Sequence, residues 1–144
     1  MLRKHIKRFI KRAAGFDIPF VYFYDNKPNA FPICMILSNC GQFVFYMISI
    51  NRHWLNAYRQ DPVLLKAGIL HEVGHFKTKA HLIKQESVRE YKAQVWAINR
   101  AKRMGMKKIS NRLRAVLIGW FDDDWNSRRK YVMAAKIAKK NKII

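Results

Sequence analysis

Five consecutive residues, His71-Glu72-Val73-Gly74-His75, have the types and spacing that do chemistry. On an α-helix, residues i and i+4 lie one above the other on a single face. At that spacing His71 and His75 can turn both imidazoles toward one ion. Zinc takes neutral nitrogen donors at about 2.0–2.1 Å and favours four-coordination, so two histidines a turn apart fill half of its shell. Glu72 stands beside the first histidine, where its carboxylate can take the proton of an attacking water. His71 and His75 are therefore candidate metal ligands and Glu72 a candidate general base. The competing account is a chance pair of core histidines.

The chemistry requires all three residues on one helix, and the flanking residues predict that helix. Asp61-Pro62 has the form of a helix start: an Asp side chain satisfies free N–H groups, and Pro suits the first helical position. From there Leu64, Ala67, Gly68, His71 and His75 recur at helical spacing on one stripe. The stripe narrows to Ala67 and Gly68 beside the first histidine, which leaves room for a neighbouring backbone.

A further donor is expected from the next helix, predicted to begin near Ser87. Glu86, Glu90, Ala93, Gln94, Ala97 and Ala101 form one stripe of it, and Val88, Tyr91, Val95 and Ile98 a second, apolar one. Alanine at every fourth position lets another helix come close, and the carboxylates of Glu86 and Glu90 lie on that approach face. Glu90 is thus the natural third zinc ligand, with Glu86 as its neighbour or substitute. Two alternatives stand against it. Ser87-Val88-Arg89-Glu90 reads as a capping box, in which the Glu side chain folds back on the cap N–H. His81 is a rival ligand at the spacing found in metzincins, but Thr78 occupies the place of their turn-forming glycine, and a β-branched residue tolerates positive φ poorly.

His71-Glu72-x-x-His75 followed by Glu90-Tyr91-Lys92-Ala93-Gln94-Val95-Trp96-Ala97 resembles the gluzincin zinc metallopeptidases, closest to their compact single-domain members, the minigluzincins, over roughly Phe43 to Gly105. The resemblance implies a short sheet, a His-Glu-x-x-His helix, a glutamate-bearing helix, a zinc cofactor and a protein or peptide substrate. The family commonly carries Asp where Gln94 stands, hydrogen-bonding a zinc histidine from behind. An amide oxygen can accept the same N–H, without the charge that raises ligand basicity. Gln94 therefore bears on catalytic strength more than on zinc binding.

The remaining elements must position these residues. Met1 to Gly15 is predicted as a basic amphipathic helix with Leu2, Ile6, Phe9, Ile10 and Ala13 on one side. It either docks on the core or serves as an arm for nucleic acid or an anionic membrane surface. Residues 19–24, 32–37 and 42–50 read as three antiparallel strands, with turns at Asp25-Asn26-Lys27-Pro28-Asn29 and Ser38-Asn39-Cys40-Gly41. Such a sheet can shield one side of the site, and an edge of it could take an extended peptide. After the glutamate helix come Ile109 to Phe121, turned inward through Leu113, Val116, Leu117, Ile118, Trp120 and Phe121, and a last helix from Trp125, inward through Tyr131, Val132, Ala135 and Ile137. Asp122-Asp123-Asp124 between them reads as a helix-capping loop rather than a second metal site. The fold class expected is α+β and zincin-like, as one domain over 1–144 with a basic helical extension over 106–144.

With 144 residues, half of them hydrophobic, the chain can bury a proper core. Its formal charge of +20, from 29 basic against 9 acidic residues, points to a nucleic acid or other polyanion as a partner. Cys34 and Cys40 form no framework or Cys-x-x-Cys pair, which suits free thiols in a reducing compartment. No apolar stretch approaches the ~20 residues of a membrane span, and the basic N-terminus lacks the hydrophobic core of a secretory signal. The expected setting is cytoplasmic, including carriage there in a particle. The expected function is zinc-dependent peptide-bond hydrolysis with Glu72 as general base; the sequence singles out no oxyanion stabiliser among His81, Tyr58 and Tyr91. The alternative is a weak or inactive zincin acting as a basic nucleic-acid-associated protein.

Overall fold

The structure, a computed structural model, describes residues 2–23, 33–40, 43–122 and 129–144. It is α+β, with helices predominating. The chain forms two compact units, Met1–Val73 and Gly74–Ile144, and the boundary falls inside a continuous helix.

The first unit opens with α1 (Leu2–Ala14), whose apolar residues recur every third or fourth position and bury Ile6, Phe9, Ile10, Ala13 and Ala14. Gly15 ends it: at φ +88 it takes the left-handed conformation open to glycine, and its N–H donates to the Lys11 carbonyl at 2.8 Å. Three strands follow, β1 (Phe20–Phe23), β2 (Ile33–Cys40) and β3 (Phe43–Asn51), in the order β1-β3-β2. β2 and β3 pair antiparallel, with Ile33 opposite Ile50 and Cys40 opposite Phe43. β1 pairs with β3 in parallel, Phe20 opposite Ile48. The sheet is therefore mixed, which corrects the antiparallel expectation. The strand directions alternate as in a meander, but β3 sits between the other two, so the two strands that run the same way become neighbours. As the middle strand, β3 carries the fully buried Ile48 and Ile50.

β2 runs on through Ser38, Asn39 and Cys40, so the expected four-residue turn is largely strand. The turn at 25–29, the side chains of Cys34, Cys40 and Asp122, and Asp123 and Asp124 of the acidic run lie outside the described residues. At the end of β3 the buried Asn51 accepts a hydrogen bond from the His53 N–H at 3.1 Å, starting a 3-10 turn over Arg52–Trp54. α2 (Leu55–Gln60) and α3 (Pro62–Lys77) follow.

The second unit takes in the end of α3 and is centred on α4 (Glu86–Arg103), which packs against both α5 (Lys107–Gly119) and α6 (Arg129–Lys140). Small side chains make this close packing possible: Ala93, Ala97 and Ala101 on α4 and Ala134, Ala135 and Ala138 on α6 are all fully buried. Gly105, at φ +70, closes α4, with the Met106 N–H bonded to the Ala101 carbonyl and the Gly105 N–H to that of Lys102. α5 turns Ile109, Leu113 and Leu117 inward, whereas Val116 and Ile118, expected inside, are exposed. On α6 the inward set is an alanine face; of the residues expected there, Ala135 is buried and Tyr131, Val132 and Ile137 are half-buried. Among the described residues no helix is long and apolar enough to cross a membrane.

Candidate metal centre

α3 begins as its first residues dictate. The Asp61 carboxylate accepts the Leu64 N–H at 3.1 Å, and the Asp61 carbonyl accepts from Leu64 and Leu65. The helix then continues unbroken to Lys77, so His71, Glu72 and His75 share it. Beyond it the Thr78 hydroxyl donates to the Gly74 carbonyl at 2.8 Å. The chain turns away at Lys79, which takes the left-handed conformation at φ 52.

The approach of α4 is decided at Gly74. A Cβ added there would stand 2.5 Å from the Ala93 carbonyl oxygen and 3.0 Å from the Ala93 Cα and carbonyl carbon. Only a residue without a side chain lets the α4 backbone come this near. The close backbone contact expected beside Ala67 and Gly68 lies here instead, for Gly68 faces the tip of the Ile33 side chain. Ala93 stands one turn after Glu90, so this contact also brings Glu90 to the histidine next to Gly74.

Glu90 is buried, 6% exposed, and its Oε2 lies 3.3 Å from Nε2 of His75. Donor atoms of His71, His75 and Glu90 all lie within 4.8 Å of one another. Bonds of about 2.0–2.1 Å in tetrahedral array set neighbouring ligand atoms roughly 3.4 Å apart, the spacing seen between His75 and Glu90. A direct charge-assisted hydrogen bond would be shorter, about 2.7–2.9 Å. Two imidazoles and one carboxylate are donors suited to a divalent transition metal, and the geometry is compatible with a metal ion held by His71, His75 and Glu90.

The capping-box alternative does not hold. α4 starts at Glu86 with Gln85 as its cap, so Ser87 is already inside the helix and Glu90 is turned to His75. Glu86 is exposed and faces Arg89 at 3.6 Å, and His81 stands exposed on a 3-10 turn over Ala80–Leu82. Neither belongs to the donor cluster found among the described residues. Glu72 is half-buried beside His71 on α3. Of the tyrosines considered for the oxyanion, Tyr58 is buried with its ring against Trp54, and the Tyr91 hydroxyl accepts from Asn141 at 3.2 Å. Gln94 is fully buried, and its Nε2 donates to the Leu113 carbonyl at 2.7 Å, tying α4 to α5.

One residue of the site went unforeseen. Nζ of Lys130, in the first turn of α6, lies 3.2 Å from Oε1 of Glu90. The buried carboxylate is thus shared, one oxygen to the histidine and one to the ammonium. A buried carboxylate needs such compensation, since leaving water uncompensated costs several kcal/mol. The sequence does hold a signal for it: Lys130, Ala134 and Ala138 are spaced i, i+4, i+8, so the alanine face extended back one turn reaches Lys130. No protein-family model, curated protein or solved structure matches the chain.

Proposed function

We propose that the protein is a zinc-dependent peptidase of the zincin kind, with His71, His75 and Glu90 as ligands and Glu72 as general base. The observation that carries this reading is the convergence of Glu90, from a separate helix, on the two imidazoles that α3 presents. When bound, zinc there supplies Lewis acidity, polarising a carbonyl and acidifying water. The chain's own residues do the rest. Glu72, one position along from His71, takes the proton of the attacking water and delivers it to the leaving amine nitrogen. Lys130 holds Oε1 of Glu90, which leaves Oε2 directed at the histidine. The bond from Gln94 to the Leu113 carbonyl fixes its amide plane beside Glu90 on α4.

Lys130 also favours a second reading. Its ammonium already supplies a positive charge to Glu90, so the cluster can stand as a buried ion-pair network in a protein without turnover, acting as a basic nucleic-acid-associated component.

Metal analysis of the purified chain beside its Glu90→Ala and His81→Ala variants separates the two. The peptidase reading expects one zinc per chain, kept in His81→Ala and lost in Glu90→Ala. It further expects Glu72→Gln to keep zinc while peptide hydrolysis falls by about 10²–10⁴-fold, the range for a lost general base. A chain that binds no zinc, or a Glu72→Gln variant that still cleaves peptides at full rate, refutes it.

A further inference from the structure

The outer face of α1 takes no part in the metal centre. Six of the 13 residues of α1 are Lys or Arg and none is acidic. Arg3, Lys4, Lys7, Arg8, Lys11 and Arg12 are all exposed. Arg3 is laid over the rings of Phe20 and Tyr22, at 4.9 and 5.7 Å, and Lys11 has Asp17 at 3.7 Å. Lys4, Lys7, Arg8 and Lys11 form the centre of the face, one turn or less apart. A turn rises about 5.4 Å, within the ~8 Å screening length of physiological salt, so these cations act on a partner together.

Two kinds of anionic partner suit a basic amphipathic helix, and burial chooses between them. A helix that lies in a membrane surface sinks its apolar side about 5–10 Å into the lipid. The apolar side of α1 is already committed, with Ile6, Phe9, Ile10, Ala13 and Ala14 between 1% and 7% exposed. What remains is a fixed rod of charge. At about 1.5 Å per residue the 13 residues of α1 span roughly 20 Å. Duplex DNA carries about one charge per 1.7 Å of axis over that length, about half of it on the facing side, so five or six phosphates meet six cations.

We infer that the exposed face of α1 is a binding surface for the phosphate backbone of nucleic acid, separate from the metal centre.

The test is binding of the 144-residue chain to a mixed-sequence DNA duplex of about 20 base pairs, by fluorescence anisotropy across a salt series. The variants are K4Q/K7Q/R8Q/K11Q and, as a charge-matched control, K107Q/K108Q/K136Q/K140Q, which removes four exposed cations from α5 and α6. Each phosphate contact adds about −0.9 to the slope of log K against log salt. The α1 variant should therefore lose about 3.6 of the wild-type slope, removing roughly 150-fold of salt sensitivity between 50 and 200 mM. The control should keep the slope within about one contact. Gln is a good helix former, and circular dichroism checks that α1 survives. If the quadruple variant does not fold, K7Q/K11Q should lose about half as much slope. The inference is overturned by wild-type protein that does not bind the duplex, by equal losses in both variants, or by an unchanged slope in the α1 variant. It is also overturned if phosphatidylserine vesicles bind more tightly than DNA through the same cations. Zinc content stays at the wild-type level in every variant, so failure of the zinc reading and failure of this one are read separately.

Discussion

Adding one methyl group at Gly74 is the sharpest test of how the metal centre is assembled. In Gly74→Ala the new Cβ would start 2.5 Å from the Ala93 carbonyl oxygen, against the 3.4 Å at which ordinary contact begins, so the two backbones must part by about 0.9 Å. The obstacle is backbone, which cannot rotate aside. If α4 moves away by that amount, the 3.3 Å between His75 and Glu90 opens to about 4.2 Å at most. That takes the pair beyond the ~3.4 Å edge of a tetrahedral site, so holding zinc would require the two helices to be drawn back together. Zinc affinity should fall by about 10–100-fold, the loss typical when the surroundings of a metal ligand are disturbed. At saturating zinc the stabilisation by zinc then shrinks by about 1.4–2.7 kcal/mol, or very roughly 4–10 °C of melting temperature. Without zinc the net cost should be about 0–2 kcal/mol. Overpacking costs about 1–3 kcal/mol, while alanine gains about 1 kcal/mol over glycine inside a helix. Gly68→Ala is the matched control, since the same methyl group on the same helix meets only the Ile33 Cδ1 at 2.7 Å, the end of a flexible side chain. Thermal melts of both variants in zinc and in chelator, with a competition titration for affinity, read the difference. If Gly74→Ala binds zinc as tightly as wild type and melts like Gly68→Ala, the Gly74–Ala93 contact does not set the site.

Three further outcomes follow from the same geometry. Lys130→Met leaves the buried Glu90 with one cationic partner fewer, so the metal-free protein should lose about 1–3 kcal/mol. Its melting temperature should then rise more on adding zinc than that of wild type, because a like charge beside the ion is gone; an equal or smaller rise counts against the shared carboxylate. Asp61→Ala removes the cap from α3 and should cost about 1 kcal/mol in denaturant unfolding, with zinc stoichiometry unchanged. Glu86→Ala, at an exposed position paired with Arg89, should leave zinc affinity within about twofold and stability within ~0.5 kcal/mol. A tenfold loss of affinity there would reopen the choice of carboxylate.

Some features were legible in the sequence because their causes are local. A capped start at Asp61, a four-residue histidine spacing and an alanine period on α4 each act within a turn or two, and α3, α4 and the placement of Glu90 followed from them. The sheet was legible as three strands but not in its order. The alternation that marks a strand says which residues share a face, not which strand will be its neighbour, and β1 pairs across β3 with no trace in its own residues. The amide nitrogen of Gln94 binds the Leu113 carbonyl on α5, a partner that no spacing along α4 could announce.

The two features missed at the centre share a physical sign. Gly74 lies in a helix interior, where glycine costs about 1 kcal/mol against alanine. Lys130 continues a stripe of buried alanines, where a charge has no place without a counter-charge. Each is locally unfavourable, and each is explained by a contact with the same stretch of α4, at Ala93 and at Glu90. A helical residue whose type works against its position therefore marks where another backbone or an opposite charge must come in. By that reasoning Gly74, between the histidines, is structural and determines how close the third ligand stands.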